Sequence, residues 1–239
     1  MDARKYLFIH SRTHNMKISR SLFRDQLAGS VPRQRIMFLG MSGIGKTHWS
    51  RRLAQAFDYP RVELDDLIGD SPEFHQLIAD CPGKDKVEKL GHYFGMPWDD
   101  GFAEREKALL QVERRLMQSD LPKDILLDLG GSVIYAPDAM TELAKTGLVI
   151  YLQAGREQEQ RMLRRFLARP KPVCWGGMFD EQTGESHEDA LRRCYPELLH
   201  ARAAEYERYA DVTLPYLEHK DVEDAAAFVE LIARHLDDE

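Results

Sequence analysis

IMFLGMSGIGKTHWSRRLAQAF, Ile36 to Phe57, is the stretch that decides how this chain reads. Ile36-Met37-Phe38-Leu39 is a short apolar run ending in glycine, the pattern of a buried strand. Beyond Lys46, the residues Trp49, Leu53, Ala56 and Phe57 recur at helical spacing with Arg51, Arg52 and Gln55 between them, which predicts an amphipathic helix. Between the two stands GMSGIGKT, Gly40 to Thr47, which matches GxxxxGK(S/T) at every fixed position. At ordinary residue frequencies such a match arises by chance about once in a hundred chains of this length. The glycines let backbone N–H groups converge on phosphate oxygens, and the helix that starts near Lys46 turns its positive end toward them. Gly40, Ser42, Gly43, Ile44, Gly45, Lys46, Thr47 and His48 are therefore the expected ATP-binding residues, with Lys46 on the β and γ phosphates and the Thr47 hydroxyl on Mg²⁺.

Working outward, further strand candidates lie at 61–64, 125–129, 148–152 and, more weakly, 212–214. Helical patterns separate them at about 102–118, 137–145, 156–168, 196–208 and 221–236. Alternation of this kind predicts an α/β fold, a parallel sheet with helices on both faces. Residues 69–101 and 170–186 carry Pro72, Pro82, Pro97, Pro170 and Pro172 among many glycines and resist regular assignment, as binding loops and lids do. The expected organisation is a basic, disordered extension over 1–34 and one nucleotide-binding domain over 35–239, with an enlarged substrate-side insertion at 69–101 and a lid at 170–187.

Composition narrows the classes. The 239 residues are 43% apolar and 31% charged, and no run approaches the roughly 18 uninterrupted apolar residues of a membrane helix. Cys81, Cys174 and Cys194 form no CxxC pair and leave an odd count, which points to the reducing cytoplasm. Net charge is −7, yet residues 1–35 hold eight Lys and Arg against only Asp2 and Asp25. An acidic body with a short basic tail is a poor footprint for nucleic acid, and no nucleic-acid or membrane partner is expected. The tail lacks the apolar core of a secretion signal; a transit peptide, a disordered extension and a true start at Met16 stay open. The spacings of Cys174, His187, Cys194 and His200 match no standard zinc pattern.

Acidic residues cluster where a second substrate would sit. Glu63, Asp65 and Asp66 follow the second strand, and in a doubly wound sheet ligands bind at the carboxyl ends of the strands. They either hold Mg²⁺ and orient an attacking hydroxyl, or cap the following helix. Asp128 ends the run Ile125-Leu126-Leu127 in the manner of a Mg²⁺-supporting carboxylate. Gly130, Gly131 and Ser132 then allow a substrate close to the backbone, or form a tight turn.

These residues together resemble the shikimate kinases, small P-loop proteins of the nucleoside-monophosphate-kinase type. The resemblance runs from about Arg35 to Glu239 through GMSGIGKT, the VELD segment, Phe102 with Glu106, ILLDLGGSVI, LVIYL, Arg169-Pro170 and RAAEYERYAD. It implies a three-layer α/β/α P-loop NTPase fold with a five-stranded parallel sheet, a nucleotide site, a separate hydroxyl-substrate site and a lid. By it, Lys46 and Asp65 are catalytic; Asp65, Gly130, Gly131 and Ser132 bind the acceptor; Thr47, Glu63 and Asp128 support Mg²⁺; and Arg169 reaches the ATP phosphates, with Arg161, Arg164 or Arg165 near the nucleotide. Two family arginines that pair with the substrate carboxylate fall on Ala103 and Glu207, with Arg105 and Arg208 beside them. The expectation is ATP-dependent phosphorylation of a small hydroxylated acceptor other than shikimate, rich in hydroxyls or carrying an amine for Glu207, by a monomer or weak dimer. The alternative is an ATP-binding regulatory or interaction protein on the same fold.

Overall fold

The computed structural model describes residues 18–169 and 171–238. β1 (Arg35–Leu39), β2 (Arg61–Glu63), β3 (Leu126–Asp128), β4 (Gly147–Gln153) and β5 (Val212–Pro215) form one parallel sheet in the order β2-β3-β1-β4-β5. Side chains alternate across a strand, so each apolar run feeds two cores. Met37, Leu39, Leu127, Val149 and Tyr151 face one layer of helices, and Ile36, Phe38, Leu126, Leu148 and Ile150 face the other. The register sets Asp128 beside both Phe38 and Glu63, which brings the carboxyl ends of the three strands to one edge.

In chain order the helices are α1 (Arg20–Ala28), α2 (Lys46–Phe57), α3 (Leu64–Asp70), α4 (Pro72–Leu77), α5 (Lys86–Phe94), α6 (Phe102–Met117), α7 (Pro137–Ala144), α8 (Arg156–Ala168), α9 (His187–Tyr209), α10 (Tyr216–His219) and α11 (Ala225–Arg234). Trp49 of α2 stacks on Phe228 of α11 with ring centroids 3.9 Å apart, which ties the phosphate-loop helix to the second core. No described helix is long and apolar enough to cross a membrane.

Three segments depart from the sequence reading. Residues 1–17 lie outside the described residues, but 18–34, assigned to the extension, are part of the domain. Ser19 caps α1 by accepting from Leu22 N, and Gly29 closes it in the left-handed region at φ 74°. Phe23 and Leu27, four residues apart, are fully buried in the core that holds α11, and Arg24 pairs with Glu230. Residues 69–101 also hold two helices. Ser71 caps α4 with Pro72 in its first turn, where proline is favoured, and Asp85 caps α5 by accepting from Val87 N and Glu88 N. Finally, α9 begins at His187 rather than near 196, because Ser186 supplies a cap and Pro196 is carried inside the helix.

Candidate functional site

Gly40 and Gly45 are the positions where the phosphate loop needs glycine. Gly40 has φ 142°, and a Cβ there would meet Leu152 O at 2.6 Å; Gly45, at φ 114°, caps α2. Lys46 is buried and folds over the loop, donating from Nζ to Gly40 O at 3.0 Å and Met41 O at 3.1 Å. Burial lowers its pKa, against the attraction of Asp128 and Asp65. Ile44 is buried in the second core, and His48 is exposed with its ring edge-on to Trp49.

Behind the loop, the Thr47 hydroxyl donates to Asp128 Oδ2 at 2.6 Å. A hydroxyl and a carboxylate at the mouth of a phosphate loop form the hard-oxygen donor set that Mg²⁺ takes, so these two residues fit the ion. Glu63 is otherwise engaged. Arg61 and Arg51 both bond its carboxylate, and together they hold its pKa below the ordinary range despite burial. Arg61 also reaches Asp128 Oδ2 at 3.4 Å. Thr47, Glu63 and Asp128, the three residues expected to support Mg²⁺, therefore line one cavity, with Glu63 facing guanidinium groups.

Two cavities meet at this edge. The smaller, about 100 Å³, contains Lys46, Thr47, Glu63 and Asp128. The larger, about 480 Å³, lies between α3, α5, α6 and the 171–174 segment. Ser42, Asp65 and Gly131 line both. Asp65 is open to cavity water yet ringed by protein; burial raises its pKa, Asp128, Glu63 and Asp66 add to the rise, and Lys46 opposes it. A poised carboxylate on the wall shared by a phosphate site and an acceptor cavity is positioned to receive a hydroxyl proton.

Two side chains in the larger cavity were not singled out from the sequence. Glu113 of α6 is 2% exposed, accepts from Ser132 Oγ at 2.9 Å, and is pushed up to about 7 by burial, with Asp65 adding to the shift and Ser132 and Arg202 opposing it. Arg202 of α9 is buried, donates to Tyr135 Oη at 3.2 Å and to Cys174 O, and lies against Gly131. Burial alone would lower its pKa, but Tyr135 and Tyr206 outweigh it and the group stays charged. A signal for both existed in the helical spacing. Glu113 follows Glu106 by two turns and Arg202 precedes Tyr206 by one, so each shares the inward face of its helix.

Gly130 makes room for the carboxylates. A Cβ there would sit 2.9 Å from both Asp65 Oδ1 and Glu113 Oε1, so the two converge on one point. Gly130→Ala is expected to keep the fold and to displace Asp65, lowering kcat/KM about tenfold to a hundredfold in steady-state assays. Unchanged kinetics would mean that the Asp65 position is not critical.

The clamp positions need correction. Ala103 is exposed and lines neither of the two cavities, while Arg105 is committed to Phe94 O and Asp100 O. Glu207 is exposed and accepts from Gln153 Nε2 at 2.8 Å, and Arg208 pairs with Glu205. Neither Glu207 nor its neighbour lines the acceptor cavity, so no amine is read there; the buried cation that lines it is Arg202. Arg169 is exposed at the end of α8 and lines neither cavity, and Arg161 pairs with Glu157.

The segment expected to be a lid, so far as it is described, is partly fastened. Glu106 accepts from Trp175 N and from Gly176 N, the latter at 3.1 Å. Trp175 is 1% exposed among Phe166, Phe179 and Tyr195. Cys174, His187, Cys194 and His200 are not gathered: His187 stacks on Trp98 and Cys194 bonds Asp180 O. Among the described residues, no group of three or more His, Cys, Asp or Glu is arranged to hold a metal.

Comparison with known proteins follows the same lines. No family model matches the chain. The shikimate kinase of Mannheimia succiniciproducens is 27% identical over 200 residues, covering 84% of this chain and 95% of that protein. That of Bordetella pertussis is 33% identical over 149 residues, 61% of this chain and 60% of that protein. The chain is thus similar to shikimate kinases over most of its length. Solved structures agree in fold. A shikimate kinase from Bacteroides thetaiotaomicron aligns with a TM-score of 0.52 at 19% identity, covering 84% of this chain and 95% of that one. One from Acinetobacter baumannii, in complex with shikimate, gives 0.50 at 21% identity over 87% and 95%. The sheet and its flanking helices are thus a P-loop NTPase α/β fold.

Proposed function

We propose that this protein transfers the γ-phosphoryl group of ATP to a hydroxyl of a small hydroxylated acid. The observation that carries the reading is the wall common to the two cavities, where Asp65 stands between the phosphate loop and a cavity holding a buried guanidinium. In the reaction, the acceptor oxygen bonds to the γ-phosphorus as the bond to the ADP oxygen breaks, and Asp65 takes the hydroxyl proton. Lys46 leaves its loop carbonyls for the phosphate oxygens, and Arg202 faces the acid group of the acceptor. Thr47 and Asp128 would hold Mg²⁺, which neutralises phosphate charge when bound. Gly131 and Ser132 line the acceptor side. A cytoplasmic ATP pool suits this chemistry.

Arg202 brings shikimate back among the acceptors to be tested. ADP release by the purified chain with Mg-ATP, against shikimate, other hydroxylated acids, neutral polyols and aminated sugars, with Lys46→Ala as the blank, tests the proposal. Turnover on one or more acids is the expected result. Turnover confined to neutral or aminated acceptors would overturn the acid requirement, and ATP binding without turnover on any member would overturn the kinase reading.

A further inference from the structure

The acceptor cavity has two unlike ends. Its inner end, shared with the phosphate site, carries Asp65, Glu113, Ser132 and Arg202. The rest of its lining, from α5, α6 and residues 172–173, carries apolar Val87, Leu90, Leu109, Pro172 and Val173 beside Lys86. Val87 is 76% exposed, one of three large hydrophobic residues left exposed among the described residues, and it belongs to this cavity. Val87, Leu90 and Leu109 thus give the cavity apolar surface beside its polar groups, the mixed lining of a small-molecule site.

The size points the same way. At about 480 Å³ the cavity is in the range that encloses drug-sized ligands, whereas a compact hydroxylated acid has only about a dozen heavy atoms. Lys86 at the start of α5 and Asp70 at the end of α3, an exposed ion pair at 2.6 Å, both line the cavity. α5 itself is well defined, capped by Asp85 and anchored by Phe94, whose ring meets Phe102 edge-on at 5.1 Å.

Resting on the kinase reading, we infer that the acceptor is a two-part molecule. Its hydroxylated, acidic head sits at Asp65, Glu113 and Arg202, and an aryl or comparable apolar substituent covers Val87, Leu90 and Leu109. Removing such a group from water adds affinity without new polar contacts.

Binding and turnover are measured separately so that the two ideas fail separately. Calorimetry of the full chain loaded with a non-hydrolysable ATP analogue compares glucuronic acid with phenyl glucuronide, and shikimate with its monophenyl ethers. At least one phenyl derivative is expected to bind about tenfold or more tightly than its free acid, as burial of part of a ring at ~25 cal/mol per Å² provides. Val87→Asp, on an exposed position that the fold does not need, is expected to reduce that preference at least about fivefold. Phenyl derivatives that all bind no better than the free acids, or no binding by any of them, would overturn the inference: α5 would then close on a compact acceptor. A phenyl preference in binding with no ADP release from any pair would instead sink the kinase reading and leave the two-part cavity standing.

Discussion

Asp65→Asn is expected to lower kcat by about 10²–10⁴ while leaving the affinity for Mg-ATP within about twofold. Asn has the shape of Asp but cannot take a proton, so the change removes proton acceptance and little else. Asp65 lines both cavities, whereas the loop contacts of Lys46 and the Thr47–Asp128 hydrogen bond do not involve it. The pH profile gives a second readout. Burial and the neighbouring Asp128, Glu63 and Asp66 raise the Asp65 pKa, so wild-type activity falls on the acid side as the carboxylate is protonated. The residual activity of the Asn variant should lack that acid limb. Calorimetry with Mg-ATP and single-turnover kinetics across pH 4 to 8 decide the matter. A parallel loss of ATP affinity would move Asp65 from the acceptor hydroxyl to the nucleotide.

What the sequence revealed, and what it hid, follows from how each feature is encoded. β1, β3 and β4 are buried on both faces, so their residues are continuously apolar and stand out in the chain. The phosphate loop is legible because its glycines answer a local backbone demand. Asp65 and Asp128 are legible because strand ends mark the ligand edge of a doubly wound sheet. Glu113 and Arg202 sit instead in helices crowded with charged residues, where only orientation separates a cavity group from a solvated one. Glu207 shows the difference: it follows the inward Tyr206 by one residue, about 100° around the helix, and so faces solvent. Arg202, four residues before Tyr206, shares its inward face. The helices missed at 20–28 and 72–94 are short, and their stability comes from caps and from docking on α11 and α6 rather than from a long periodic pattern.

Glu113→Gln carries the second large effect, and its sign depends on pH. The folded chain holds the Glu113 carboxyl at about 7, against an ordinary value of 4.5. Between those two values the folded state keeps a proton that the unfolded state has released, so stability falls as pH rises through the window and levels off above it. At ~1.4 kcal/mol per pH unit the loss is on the order of 3 kcal/mol at pH 8. Gln is neutral and still accepts from the Ser132 hydroxyl through its carbonyl oxygen. The variant should match the wild type near pH 4.5 and exceed it by about 3 kcal/mol at pH 8, a rise in Tm of roughly 5–10 °C for a chain of this size. Asp65 contributes to this shift, because the two carboxylates converge on Gly130 and the Asp65 charge adds to the rise that burial imposes on Glu113. Melting curves at both pH values test the assignment. A variant less stable than wild type at pH 8 would mean that Arg202 holds Glu113 ionised as a buried pair, and that the acceptor cavity already carries both charges before any substrate enters.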